Sequence, residues 1–114
     1  MILIIGGAHC GKRDYAAEHF GYDLKQMSNQ LDNVPVLYDL HALLKEYADH
    51  EVPWPALRQK QVIICNEVGC GVVPVDDRER KWRETVGRVC CVLAREAEKV
   101  IRVQCGIGIV IKER

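Results

Sequence analysis

The chain has no surplus of charge: its 114 residues carry 16 Lys and Arg against 16 Asp and Glu. A protein that grips nucleic acid by neutralising phosphates needs a basic excess, so the balance argues against a nucleic-acid partner. No apolar run approaches the roughly 20 residues that cross a bilayer. The first residues lack the basic segment and longer apolar core of a secretory leader. Cytoplasmic placement without a membrane partner is the expectation. No C-x-x-C occurs among Cys10, Cys65, Cys70, Cys90, Cys91 and Cys105, and their spacing fits no zinc pattern. The expectation is therefore no structural metal, and reduced, mostly buried thiols. His9, His19, His41 and His50 form no ligand pair at helical spacing, and no serine- or cysteine-based triad is visible.

What is present begins at Ile2-Leu3-Ile4-Ile5, a short apolar run that leads directly into Gly6-Gly7-Ala8-His9-Cys10-Gly11-Lys12. The pattern is strand, then G-x-x-x-x-G-K. Backbone N–H groups of such a loop cradle phosphate oxygens, and its lysine reaches the terminal phosphates. Gly6, Gly7, Ala8, His9, Cys10, Gly11, Lys12 and Arg13 are the candidate nucleotide-binding residues. The alternative is an inert glycine turn with a surface lysine. Position 13 should be Ser or Thr, whose hydroxyl ligates magnesium; Arg13 cannot do so, though its guanidinium can meet phosphate as a charged fork. Cys10 reads as a small filler in place of serine.

Residues 2–5, 34–38, 62–65 and 100–103 read as buried strands, with a fifth at 109–111. Such continuous Val/Ile-rich runs indicate a parallel sheet covered on both faces. A helix is expected from residue 11 to about 20, stopped by Gly21. Leu40, Leu43, Leu44 and Tyr47 repeat at helical spacing. So do Trp82, Val86, Val89, Cys90, Leu93, Ala94 and Ala97. Residues 23–33 read as a loop or short helix, and Val52-Pro53-Trp54-Pro55 as a turn. The fold class is α/β: a shortened, three-layer phosphate-loop domain over residues 1–114, with a mostly parallel sheet of about four to five strands.

Two acids sit where ligands bind in such sheets, beyond the carboxyl ends of strands. Asp39 ends the second run and is a candidate magnesium ligand; its alternative role is to cap the following helix. Glu67, in Asn66-Glu67-Val68-Gly69, is a candidate for substrate or metal; its alternative is a local cap in a glycine turn. Lys12, Asp39 and Glu67 form the candidate catalytic set.

Residues 66–74, N-E-V-G-C-G-V-V-P, resemble the bifunctional adenosylcobinamide kinase/adenosylcobinamide-phosphate guanylyltransferase family of cobalamin biosynthesis. The resemblance continues through Arg80–Val89 by number 80–89, R-K-W-R-E-T-V-G-R-V, and residues 105–112, C-G-I-G-I-V-I-K. Residues 2–12 are similar to the family's opening. The resemblance implies a phosphate-loop fold, ATP or GTP with magnesium, a corrinoid substrate, and a homo-oligomer, typically a trimer. It implies phosphorylation of adenosylcobinamide, then GMP transfer through a histidine. Asp39 falls where the family has a glutamate. The family's histidine segment has no counterpart in residues 23–33, the loop's last serine is Arg13, and the Asn after G-R-V is Cys90. These departures predict lost or reduced activity without a guanylyltransferase histidine. A non-catalytic regulatory or interaction protein on the same scaffold is the alternative.

Overall fold

The computed structural model describes residues 1–47, 49–68 and 76–114. The glycine-rich part of the 66–74 motif, with Cys70, lies outside the described residues. Strand β1 (Ile2–Gly6) pairs in parallel with β4 (Val62–Asn66) on one side and β5 (Lys99–Gln104) on the other. Beyond β4 lie β3 (Val36–Leu37) and β2 (Met27–Ser28), also parallel. β6 (Ile107–Glu113) closes the other edge, antiparallel to β5. The order is β2-β3-β4-β1-β5-β6, so the chain crosses over β1 between β4 and β5. Among the described residues no helix is long and apolar enough to cross a membrane.

Alternation along the strands splits the core into two layers. Ile4, Val36, Val62, Ile64, Ile101 and Val103 face helix α1 (Lys12–Phe20) through Ala16. Leu3, Leu37, Ile63, Cys65 and Val100 face the opposite layer. That layer comprises α2 (Leu40–Leu43) and its 3-10 extension Leu44–Tyr47, then α3 (Trp54–Arg58) and α4 (Asp77–Glu96). α4 contributes Val86, Val89 and Leu93, the stripe expected from its periodicity. Each such fully buried side chain is worth about 1.5–3 kcal/mol of apolar burial.

Among the described residues the sheet has six strands, one more than the apolar runs suggest. The extra one, β2, is only two residues long and falls within the polar segment 23–33. A 3-10 turn, Leu24–Gln26, precedes it. Asp23 makes that turn: its carboxylate accepts the Lys25 N–H at 2.9 Å, and its own N–H donates to Gln26 Oε1 at 3.0 Å. The region 52–55 is likewise more than a turn. α3 starts at Trp54 with Pro55 in its first turn, where no N–H is needed for the helix ladder. The fifth apolar run is not buried. Ile107, Ile109, Val110 and Ile111 are exposed on the edge strand β6, which the helices meet at Gly108, under the Tyr15 ring, and at Lys112, whose ammonium donates to the Ala94 and Arg95 carbonyls. The thiols also differ from expectation. Among the described cysteines only Cys65 is buried; Cys10 and Cys90 are half-buried, and Cys91 and Cys105 are exposed. Cys91 falls off the buried stripe of α4, and Cys105 stands in the β5–β6 turn with φ 50°. Cys90 Sγ lies 3.7 Å from Cys65 Sγ, and that contact, with burial, holds the Cys65 thiol well above the usual cysteine range.

Two tethers set the strands that carry the candidate site. The ammonium of Lys60, itself buried, donates to the carbonyls of Asp32 and Val34, the latter at 2.8 Å. This pins the polar segment where it turns into β3. Gly106 N–H donates to the Cys10 carbonyl at 2.9 Å, so the β5–β6 turn braces the loop between β1 and α1.

Candidate functional site

Glycine geometry shapes the loop. A Cβ on Gly6 would stand 2.5 Å from the Val103 carbonyl oxygen and 2.8 Å from Cys10 Sγ. Gly11 has φ 86°, a left-handed conformation that swings the chain from the loop into α1. Gly21, at φ 75°, ends that helix as expected, its N–H donating to the Ala17 carbonyl. His9 also adopts positive φ, 57°. The result is a loop of residues 7–11 at the N-terminus of a nine-residue helix, beyond the carboxyl end of β1.

Lys12 is the first residue of α1 and only 7% exposed. Its ammonium folds back across the loop, donating to the Gly7 carbonyl at 2.5 Å and lying 3.6 Å from Cys10 Sγ. Among the described residues no carboxylate lies within ion-pair reach of it. A buried cation without a counter-ion is costly, and a negatively charged ligand would supply the missing partner. The inert surface-lysine alternative does not describe this residue.

Beside the loop is a cavity of about 730 Å³. Ala8, His9, Gly11, Lys12, Arg13 and Asp14 form one wall. Asp39 and His41, from the start of α2, and Asn66, ending β4, form the other. Leu24, exposed in the 3-10 turn, adds an apolar rim. Thus β1, β3 and β4 deliver their carboxyl ends to one place, as open parallel sheets do. Gly6, Gly7 and Cys10 shape the loop from behind.

Asp39 occupies the N-cap position of α2, yet its side chain makes no capping hydrogen bond. Its backbone is left-handed, φ 52° and ψ 45°. A non-glycine residue in that region is strained and persists only where its surroundings impose it. Side-chain capping therefore does not account for the residue, which lines the cavity. Asp39→Gly is expected to be at least as stable as the parent, with a gain of up to about 1 kcal/mol from the relieved backbone. A urea midpoint lowered by that amount would show that the carboxylate has a structural task instead.

Glu67 belongs elsewhere. Its carboxylate pairs with the Arg102 guanidinium on β5, at 3.1 and 3.2 Å, and its N–H donates to the Gly6 carbonyl at 2.8 Å. It clamps β4, β1 and β5 together beneath the loop and is not among the cavity walls. β4 and β5 flank the same strand, so a carboxylate at the end of one meets a guanidinium on the other.

His41 is the site residue that sequence reasoning passed over. Its Nδ1 accepts the Asn66 N–H at 3.2 Å, and its carbonyl accepts Trp82 Nε1–H at 2.6 Å. Burial lowers its pKa below the usual histidine value, with Asp39 opposing and Lys12 and Lys45 adding to the shift. With Nδ1 occupied as an acceptor, the neutral ring carries its proton on Nε2. His41 is thus a hydrogen-bond donor rather than a nucleophile. The signal available in the sequence was its place two residues after Asp39, in the first turn of the helix that leaves the strand end.

The cavity presents a fixed ammonium, a guanidinium, helix N–H groups and a neutral imidazole, with the carboxylates of Asp39 and Asp14 at its sides. Chemically, such a set is suited to holding an anion.

Residues 24–111 match the family model described as cobinamide kinase / cobinamide phosphate guanyltransferase. Asp39, His41 and Asn66 fall inside the match; residues 6–13 precede it. Two curated relatives are each described as a bifunctional adenosylcobalamin biosynthesis protein, CobU, one from Salmonella typhimurium and one from Escherichia coli. Each is 45% identical over 53 residues, a stretch covering 46% of this chain and 29% of the relative.

Proposed function

Because this chain belongs to the cobinamide kinase / cobinamide phosphate guanyltransferase family, we propose that its cavity binds the phosphates of ATP or GTP. Residues 1–114 act as one phosphate-loop α/β unit in this reading. The observation that carries it is Lys12: a buried ammonium with no carboxylate partner among the described residues, held at a helix N-terminus over a glycine loop. Loop N–H groups and Lys12 take the phosphates, His41 donates from Nε2, and Asn66 completes the far wall. Leu24 offers an apolar surface at the rim for a base or for a corrinoid. Cytoplasmic nucleotide pools are the natural source of ligand.

Transfer chemistry is reduced or absent in this reading. His41 is held in the wrong tautomer to accept GMP, and the hydroxyl that should follow Lys12 is missing. The second reading, a regulatory or interaction protein that keeps the nucleotide site, is favoured by Arg13 in that position. The exposed apolar residues of β6 suit assembly with further copies of the chain, a trimer by family likeness. Titration calorimetry with ATP and GTP tests binding, and heat from at least one nucleotide is expected. Incubation with adenosylcobinamide and ATP then separates the readings: phosphorylated product supports an enzyme, and binding without product supports the regulatory form. Absence of heat with both nucleotides would sink the nucleotide site.

A further inference from the structure

Magnesium is the ion that a G-x-x-x-x-G-K loop implies, and the residues present decide whether it fits. Such a loop holds the ion through the hydroxyl after its lysine and through a carboxylate at a strand end. Asp39 supplies a carboxylate. The hydroxyl is missing, and the chain has none to lend. Its one serine is Ser28 and its one threonine is Thr85. Ser28 Oγ donates to Asp32 at 2.5 Å, and Thr85 Oγ1 donates to the Lys81 carbonyl at 2.9 Å. Neither lines the cavity. His41 offers no lone pair, because Nδ1 is bonded to Asn66 and Nε2 bears the proton. Among the described residues no group of three His, Cys, Asp or Glu side chains could hold a metal ion.

A cation stands in the hydroxyl's place. The Arg13 guanidinium lies over the Tyr38 ring, 4.6 Å from its centre. Tyr38 immediately precedes Asp39, so this stack carries the charge from the start of α1 to the end of β3. A magnesium ion bridging those two elements would meet the positive charge of that guanidinium. The residues do not fit the metal.

We propose that Arg13 takes over the charge role of magnesium, so that the site binds a purine nucleoside triphosphate in its magnesium-free form. The inference rests on the nucleotide reading of the cavity and narrows its ligand. Lys12 and Arg13 become the two positive centres, one buried under the loop and one at the mouth. The guanidinium is a planar fork that meets two phosphate oxygens at once. A triphosphate that already carries magnesium brings the metal's charge against Arg13 and loses the oxygens that the fork would take.

Calorimetry on the whole chain, with ATP and with GTP, in EDTA and in excess MgCl₂, tests this. The parent is expected to bind at least as tightly in EDTA as in magnesium. Arg13→Ala should lose about tenfold in EDTA, the scale of one charge-assisted contact. Arg13→Ser, which restores the hydroxyl, should bind better with magnesium than without. Arg13 is exposed, so both variants are expected to fold, and circular dichroism checks that they do. A tenfold gain for the parent on adding magnesium overturns the proposal. So does an Arg13→Ala protein unchanged in EDTA, or an Arg13→Ser protein that behaves as the parent in both buffers. A parent that binds neither nucleotide in either buffer is a different result: it removes the nucleotide site itself, and this proposal with it.

Discussion

Gly6→Ala is expected to lower stability by about 1–3 kcal/mol, the usual cost of overpacking, and to abolish nucleotide binding. The added methyl would meet a backbone carbonyl, Val103 O at 2.5 Å, as well as Cys10 Sγ at 2.8 Å. The sulfur can rotate away. The carbonyl cannot, because Gly6 and Val103 are paired in the ladder between β1 and β5. Relief must come from pushing the end of β1 off its neighbour, and that end is where the loop starts. Gly7→Ala is the matched control: a Cβ there meets nothing within 4 Å. It should stay within about 0.5 kcal/mol of the parent, as surface substitutions do. Thermal melts of both proteins check the contrast. At roughly 4–8 °C per kcal/mol for a domain of this size, the Gly6 variant should melt several degrees earlier or more. Equal melting temperatures would mean that the close approach does not constrain residue 6.

Lys12→Met should weaken ATP or GTP binding by about 10- to 100-fold, the worth of one or two charge-assisted hydrogen bonds. It should do so without a matching loss of stability. In the free protein the ammonium is buried and, among the described residues, bonded only to the Gly7 carbonyl and a weak sulfur acceptor. Removing a buried, uncompensated cation offsets the loss of that hydrogen bond, so the urea midpoint should hold or rise. Calorimetry and urea unfolding on the same preparation separate the two effects. A variant that loses stability but keeps its affinity would make Lys12 a structural staple of the loop.

Much of the layout was legible in the residues. Gly11 and Gly21 bound α1 because both need left-handed backbone, a local property. The runs at 2–5, 62–65 and 100–103 are β1, β4 and β5; β4 is buried on both faces from Val62 to Cys65, and β5 breaks the pattern only at the exposed Arg102 and Gln104. Asp39 was found at the strand end where it sits. Other readings needed information that no local pattern carries. β2 is two residues long and is held by its neighbour β3, not by its own composition. The 109–111 run has the same apolar character as β1, yet lies exposed on the edge strand. Pro55 starts a helix because Leu57 finds a place in the core beside α2 and α4.

The sequence by itself determined the loop, the strand that feeds it, the helix that follows and the arginine at residue 13. These rest on backbone freedom, apolar runs and side-chain chemistry, all of which act within a few residues. Tertiary structure decided what meets the loop. Strand order brings Asn66 against His41, 25 residues apart, and Arg102 against Glu67, 35 residues apart. It thereby assigns His41 to the cavity and withdraws Glu67 from it. Asn66 meets His41 because β3, which leads into α2, lies beside β4, and Arg102 meets Glu67 because β4 and β5 flank β1; no spacing within the chain encodes those pairings.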